Sequence, residues 1–297
     1  NAINNLRVER IITSKIEHHA VLHTAKFFQQ ANDIRLDFVD LDEQGSVDIP
    51  HLTSLLSNSK DKTLVSLMYI NNEIGNIIPL LEIRNLCKKY GALFHSDTVQ
   101  AIGHYKIDLQ KIPIDFIAAS AHKFHGPKGV GFAYFKKGFG IKPIFHGGDQ
   151  EKGARSSTEN VHSILGMERA LILASKTLEE DKMHMNSLKS YFIQGLLQFD
   201  SRIRFNGNSG NLEGSSCTIL SVLLPVSNNM MLFSLDLQGI AVSVGSACQS
   251  GSNSGSHVLH EILNESDERL TSIRFSFSRN TRFEEIDYTL EKLKELL

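Results

Sequence analysis

Strand and helix patterns alternate along this chain, and that alternation leaves few architectures open to it. Leu64-Val65-Ser66-Leu67-Met68-Tyr69 is a nearly continuous apolar run of strand length, as expected of a strand covered on both faces. Arg10–Thr13 and Ile34–Val39 read as strands before it, and Ala92–His95, Phe116–Ser120 and Val130–Phe135 as strands after it. Between them His19–Gln30, Ile49–Leu56 and Leu80–Tyr90 carry apolar residues at helical spacing, the last with Gly91 as its C-cap. Strands separated by helices imply a mostly parallel sheet with helices on both faces, so the fold class is α/β.

After about Val161 the texture changes. A long helical pattern covers His162–Phe199, with a break expected near Glu179–Met183. Strand Thr218–Leu224, helix Asn229–Leu237, strands Ala241–Val244 and Ile273–Phe277, and a final helix Phe283–Leu297 follow. This division suggests a large domain over 1–165 and a smaller C-terminal α+β domain over 166–297. Gln249–Ser256 is rich in glycine and serine, the composition of a flexible loop, and it starts one residue after Cys248.

Composition narrows the function classes. With 31 Lys and Arg against 33 Asp and Glu, the net charge is −2, which gives no electrostatic case for nucleic acid or an anionic membrane. No apolar stretch approaches the roughly 20 residues of a membrane-spanning helix; Thr218–Pro225 has strand length. Cys87, Cys217 and Cys248 are too few and too scattered for a disulfide framework or a zinc site, and favour a reducing compartment. Asn1–Asn5 lacks a basic-then-apolar signal pattern. The expectation is a cytoplasmic protein.

Four local patterns carry chemistry. Ser120-Ala121-His122-Lys123-Phe124-His125-Gly126-Pro127-Lys128-Gly129 places a lysine just past a buried strand. Held in a pocket, such an amine loses its proton more readily and becomes nucleophilic, as a Schiff-base lysine must. The alternative is a strand-end lysine that reaches water. His95-Ser96-Asp97-Thr98-Val99-Gln100 puts a carboxylate at a strand's C-terminal end, where open parallel sheets bind ligands; Asp97 could instead simply cap a helix. In Glu17-His18-His19 the adjacent histidines do not share a helix face, so chelation is disfavoured, leaving one imidazole facing a cofactor or two partly exposed rings. In Gly245-Ser246-Ala247-Cys248 the thiol lies among small residues at a loop mouth, where a thiolate is accessible. Cys87 and Cys217 look structural.

In this order these motifs resemble the cysteine desulfurases of the NifS/IscS type, in the aminotransferase class V branch of the fold-type I pyridoxal phosphate (PLP) enzymes. The similarity runs from about Ile12 to Leu297. It includes Thr13–His18, Asn71-Asn72-Glu73-Ile74-Gly75, His95–Gln100, Ser120–Lys123 with Gly126–Gly129, His146-Gly147-Gly148, Gly245–Cys248 and Ser272-Ile273-Arg274-Phe275-Ser276.

The resemblance implies PLP as cofactor and L-cysteine as substrate, with alanine as product and a persulfide on Cys248. Lys123 would bond the coenzyme aldehyde and move the substrate's Cα proton. Asp97 would pair with the pyridinium nitrogen, Gln100 would bond the phenolic oxygen, and His18 would stack on the ring as a further catalytic candidate. Ser120 and His122 would hold the phosphate, with Thr158 contributed across a homodimer. Asn72 and Arg274 would grip the substrate carboxylate. The Gly/Ser loop would carry sulfur to an acceptor or iron–sulfur scaffold protein, its length resembling the IscS-like group. Against the family pattern, the chain is expected to lack the N-terminal segment with its phosphate-binding turn, and Ser157 replaces the usual Gly before Thr158. The alternatives are a selenocysteine lyase or another class V enzyme, or a non-catalytic subunit acting as a scaffold; Gly-Ser-Ala-Cys argues against an aminotransferase.

Overall fold

The strands β1 (Arg10–Thr13), β2 (Arg35–Phe38), β3 (Thr63–Ser66), β4 (Leu93–Asp97), β5 (Phe116–Ser120) and β6 (Gly131–Phe135) lie beside one another in a sheet of the computed structural model, which describes residues 1–140, 142–244 and 255–297. Among the described residues this sheet has six strands in the order β2-β1-β3-β4-β5-β6. All pairings are parallel except β5 with β6. Helices α1 (His19–Asn32), α2 (Ile49–Ser57) and α3 (Leu80–Lys89) form the crossovers. Consecutive strand residues face opposite sides, and β1 shows this directly. Ile12 joins Leu52 and Leu56 of α2 and Ile83 and Cys87 of α3 in one core cluster. Its neighbour Ile11 packs with Ala25 of α1 in another. Helices therefore cover both faces.

Each crossover helix has a local reason to begin and end. The Asp48 side chain caps α2 by accepting the His51 N–H at 2.8 Å, and Pro50 sits in its first turn, where a missing N–H costs nothing. In α3, Glu82 lies in the first turn and Lys88 and Lys89 in the last, charges that match the helix dipole. Gly91 follows with φ 69.

The second sheet is antiparallel, β7 (Arg204–Phe205), β8 (Ile219–Leu223) and β9 (Ser272–Ser276), in the order β7-β8-β9. Around it run α4 (Val161–Phe199), α5 (Met231–Leu237), α6 (His257–Ile262), α7 (Glu265–Glu268) and α8 (Phe283–Leu296). Met185, Leu188, Phe192 and Leu196 line one stripe of α4 and enter the core with Leu220, Val222, Ile273 and Phe275. The Phe192 and Phe275 rings meet edge to face at 4.8 Å, a geometry worth about 1 kcal/mol beyond burial.

Three sequence expectations are corrected. The long helix does not break near Glu179–Met183; α4 is continuous over 39 residues. Glu179 and Glu180 are exposed there while Asp181 and Lys182 are half-buried, and Thr177 Oγ1 bonds Asp181 Oδ2 one turn on at 2.6 Å. Ala241–Val244 is not a strand: only Ser243 bridges to β9, exchanging backbone bonds with Arg274 at 3.2 and 2.7 Å. Ser256, expected in the flexible loop, is the N-cap of α6, its Oγ accepting the Leu259 N–H at 3.0 Å. Sequence periodicity also missed α6 and α7, which are too short to show a pattern. Among the described residues no helix is long and apolar enough to cross a membrane.

Candidate active site

The parallel strands β1, β3, β4 and β5 are adjacent, so their C-terminal ends open on one edge of the sheet, where α/β folds bind ligands. Each end delivers a residue singled out from the sequence. After β1 the chain runs through Glu17 to His18, which caps α1 by accepting the Ala20 N–H on Nδ1 at 3.2 Å. After β3 it reaches Asn71 and Asn72. Asp97 is the last residue of β4, and Ser120 the last of β5, followed by a 3₁₀ turn Ala121–Phe124 that carries His122 and Lys123.

Asp97 is half-buried, and its Oδ1 accepts the Val99 N–H at 2.9 Å. The turn this opens carries Gln100, also half-buried. Lys123, for which the sequence left both a pocket and a water-reaching strand end open, is exposed on the 3₁₀ turn. His122 beside it is exposed as well. Partial desolvation, then Lys123 and Lys128, hold its imidazole below the usual histidine range.

Asn72 and Arg274, expected to grip a substrate carboxylate, lie side by side. Arg274 of β9 donates from Nη1 to the Asn72 carbonyl at 2.8 Å. Asn72 is buried, and its Oδ1 has no partner among the described residues, a polar atom poised for a ligand. Thr158 is exposed in the stretch before α4. Ser157 has φ 90, so the backbone there keeps a conformation that favours glycine. Cys248 lies outside the described residues. Cys87 and Cys217 are buried, and burial pushes the Cys87 thiol up to about 12, as suits structural cysteines. Among the described residues no three His, Cys, Asp or Glu converge on a metal position.

Sequence reasoning passed over Glu17, quoting it only beside its histidines. Its carboxyl is buried, with Oε1 accepting the Met68 N–H at 2.8 Å and the Ser14 hydroxyl at 3.2 Å. Burial foremost, with the nearby Asp97 charge, pushes it up to about 8, so it is mostly a neutral acid at pH 7. It ties the segment that presents His18 to the end of β3. An acidic residue flanked by Ile16 at a strand exit was the available signal. His104 was also missed; its Nε2 donates to the Lys123 carbonyl at 2.8 Å.

These groups fit a PLP molecule by their chemistry. Asp97 offers a carboxylate for a ring N–H, Lys123 an accessible amine for an aldehyde, and His18 a flat ring. Ser120 and His122 offer donors for a phosphate, and the orphaned Asn72 oxygen awaits a polar partner.

Residues 3–289 match the aminotransferase class-V family. The chain is 38% identical over 294 residues to a cysteine desulfurase IscS of Clostridium botulinum, covering 99% of this chain and 73% of that protein. It is 40% identical over 278 residues to a putative cysteine desulfurase IscS 1 of Bacillus subtilis, covering 93% and 72%. Among solved structures a NifS-like protein superposes with a TM-score of 0.87 at 36% identity, covering 98% of this chain and 75% of that one. A NifS-like protein from Rickettsia africae gives 0.86 at 30%, covering 97% and 75%. The family match over nearly the whole chain, the 38% identity to an IscS cysteine desulfurase and the superposition on a NifS-like protein place the chain in the aminotransferase class V family, among the cysteine desulfurases of the IscS and NifS type.

Proposed function

We propose that this protein is a PLP-dependent cysteine desulfurase that converts L-cysteine to L-alanine and collects the sulfur on Cys248. The placement of His18, Asp97, Ser120 and Lys123 at the C-terminal ends of adjacent parallel strands, together with the Asn72–Arg274 hydrogen bond, is the observation that carries this reading. When bound, PLP supplies an electron sink for the carbon whose proton is removed. Asp97 would keep the ring nitrogen protonated, Gln100 would donate to the phenolic oxygen, His18 would offer its ring as a stacking surface, and Ser120 and His122 would hold the phosphate. Asn72 and Arg274 orient the substrate by its carboxylate, and the Lys123 amine takes the Cα proton. The Cys248 thiolate attacks the substrate sulfur, so an S–S bond forms as the substrate C–S bond breaks. The β-carbon keeps that electron pair and is protonated, the α-carbon regains a proton from the Lys123 amine, and alanine leaves.

We further read 1–165 as the PLP-binding domain and 166–297 as the domain that carries the cysteine loop. The assembly is a homodimer in which Thr158 reaches the partner's phosphate site, and an iron–sulfur scaffold or other sulfur acceptor takes the persulfide. A reactive thiol suits a reducing, cytoplasmic setting. The rival readings, a selenocysteine lyase, another class V enzyme or a silent scaffold, gain nothing from relatives named cysteine desulfurases.

Purified protein with PLP, L-cysteine and a dithiol reductant to discharge the persulfide is expected to release alanine and sulfide in equal amounts. Cys248→Ala should keep the visible absorbance of bound PLP and lose both products. A wild-type protein that makes no alanine overturns the reading.

A further inference from the structure

The turn after β4 is stapled both to β5 and to the lysine turn that follows it. At its start the Thr98 backbone N–H and its Oγ1 both bond the Ala118 carbonyl of β5, at 3.1 and 2.8 Å. Ala101, Ile102, His104 and Tyr105 then wind it through bonds back to Thr98 and Ala101. At its far end His104 Nε2 meets the Lys123 carbonyl at 2.8 Å. A carbonyl only accepts, so Nε2 carries the hydrogen. Between the staples Gly103 passes so close to the lysine turn that an added Cβ would lie 2.4 Å from the Phe124 Cβ, and its φ is +85.

His104 is held in turn. It borders a cavity of about 60 Å³ with His125, Asp181 of α4 and Arg279, and Asp181 and Arg279 approach to 3.9 Å. Burial, the first cause, keeps its imidazole below the usual histidine range, with His125 adding and the Lys123 carbonyl and Asp181 opposing.

We propose that His104 is a positioning residue for Lys123: by donating to the Lys123 carbonyl it locks the turn bearing the amine against the turn bearing Asp97 and Gln100. This rests on the desulfurase reading, in which the amine must move a proton at a carbon held by the other turn. A small displacement there slows proton transfer without weakening cysteine binding.

The test uses holoenzyme with L-cysteine and its α-deuterated form. His104→Leu, which removes the donor, is expected to lower kcat about 10- to 100-fold and leave KM nearly unchanged. It should also raise the deuterium isotope effect on kcat and shift the pH midpoint of the resting visible band. His104→Gln, which returns an N–H at similar reach, should restore most of the rate. An unchanged isotope effect and band midpoint in His104→Leu, or no rescue by Gln, overturns the proposal. Should the Leu variant lose its fold or PLP in a melt, His104→Asn, with a shorter donor, must show the raised isotope effect or the proposal falls. A wild-type protein that makes no alanine removes the desulfurase reading instead, and the band midpoint then still decides whether His104 sets Lys123.

Discussion

The Arg274 guanidinium and the Asn72 backbone carbonyl meet at 2.8 Å across 202 positions of sequence, joining β9 of the small sheet to the segment that follows β3. Ser243 fixes the backbone of Arg274 from the other side. A planar guanidinium can hold a carbonyl and a carboxylate on separate N–H groups, whereas an ammonium is a flexible point charge. Arg274→Lys should therefore raise KM for L-cysteine about 10- to 100-fold, the worth of a charge-assisted bond, with a smaller fall in kcat. Steady-state kinetics check this, and an unchanged KM removes Arg274 from substrate binding.

Glu17 makes stability depend on pH in a direction opposite to that of a paired surface carboxylate. Its ordinary value is 4.5 and burial lifts it to about 8, so between these values the folded state binds a proton that the unfolded chain releases. The stability it lends is intact below 4.5 and drains as pH rises toward 8. Glu17→Gln keeps an acceptor for the Met68 N–H and cannot ionise. Its melting temperature should match wild type at about pH 5 and exceed it by several degrees at about pH 8. Parallel melting curves for the two proteins would refute this.

How much of this was legible beforehand depended on the kind of contact. Lys123 and Asp97 stand in short motifs at strand ends and Arg274 in one within a strand, and strands are readable from apolar runs, so the sheet and its candidate ligand edge could be placed. The continuity of α4 was not readable, because a charged stretch looks alike whether it breaks a helix or faces water. His104 was hidden for another reason: its partner is a backbone carbonyl, which leaves no trace in residue identity. Glu17 stood in plain view, but its burial depends on Met68 and Ser14 closing around it, a tertiary fact. Cys248 was legible in sequence and lies outside the described residues.

Ser157 offers a test of backbone strain. Its φ of 90 lies where a Cβ is disfavoured, and such residues cost about 1–3 kcal/mol. Ser156 next to it is anchored, donating from Oγ to the Gly148 carbonyl at 2.7 Å, so the turn cannot easily relax. Ser157→Gly relieves the strain but frees the unfolded chain, which offsets part of the gain. A net stabilisation of about 1 kcal/mol is expected, read as a higher urea midpoint at unchanged slope. A lower midpoint would mean that the serine side chain supports the turn.

Lys189 links stability to the substrate end of the site. It is fully buried on α4, and its ammonium donates to Ser215 Oγ at 2.7 Å and to the Ser216 carbonyl at 2.8 Å. Ser216 in turn donates its N–H to the Gly75 carbonyl at 2.8 Å, and Ser215 bridges to Asn76, a few residues from Asn72. Burial brings the lysine down from 10.5 to about 8, with Cys217 opposing. Between those values the unfolded chain holds a proton that the folded state has released, so folding gains stability as pH rises from 8 to 10.5. Lys189→Met removes that slope, and wild type should gain on the variant in melts taken across this range. Because the variant also frees the Ser215–Ser216 crossing, its KM for L-cysteine should rise while the visible band of bound PLP stays. A flat stability difference together with an unchanged KM would show that the buried amine braces neither the crossing nor the Asn72 segment beyond it.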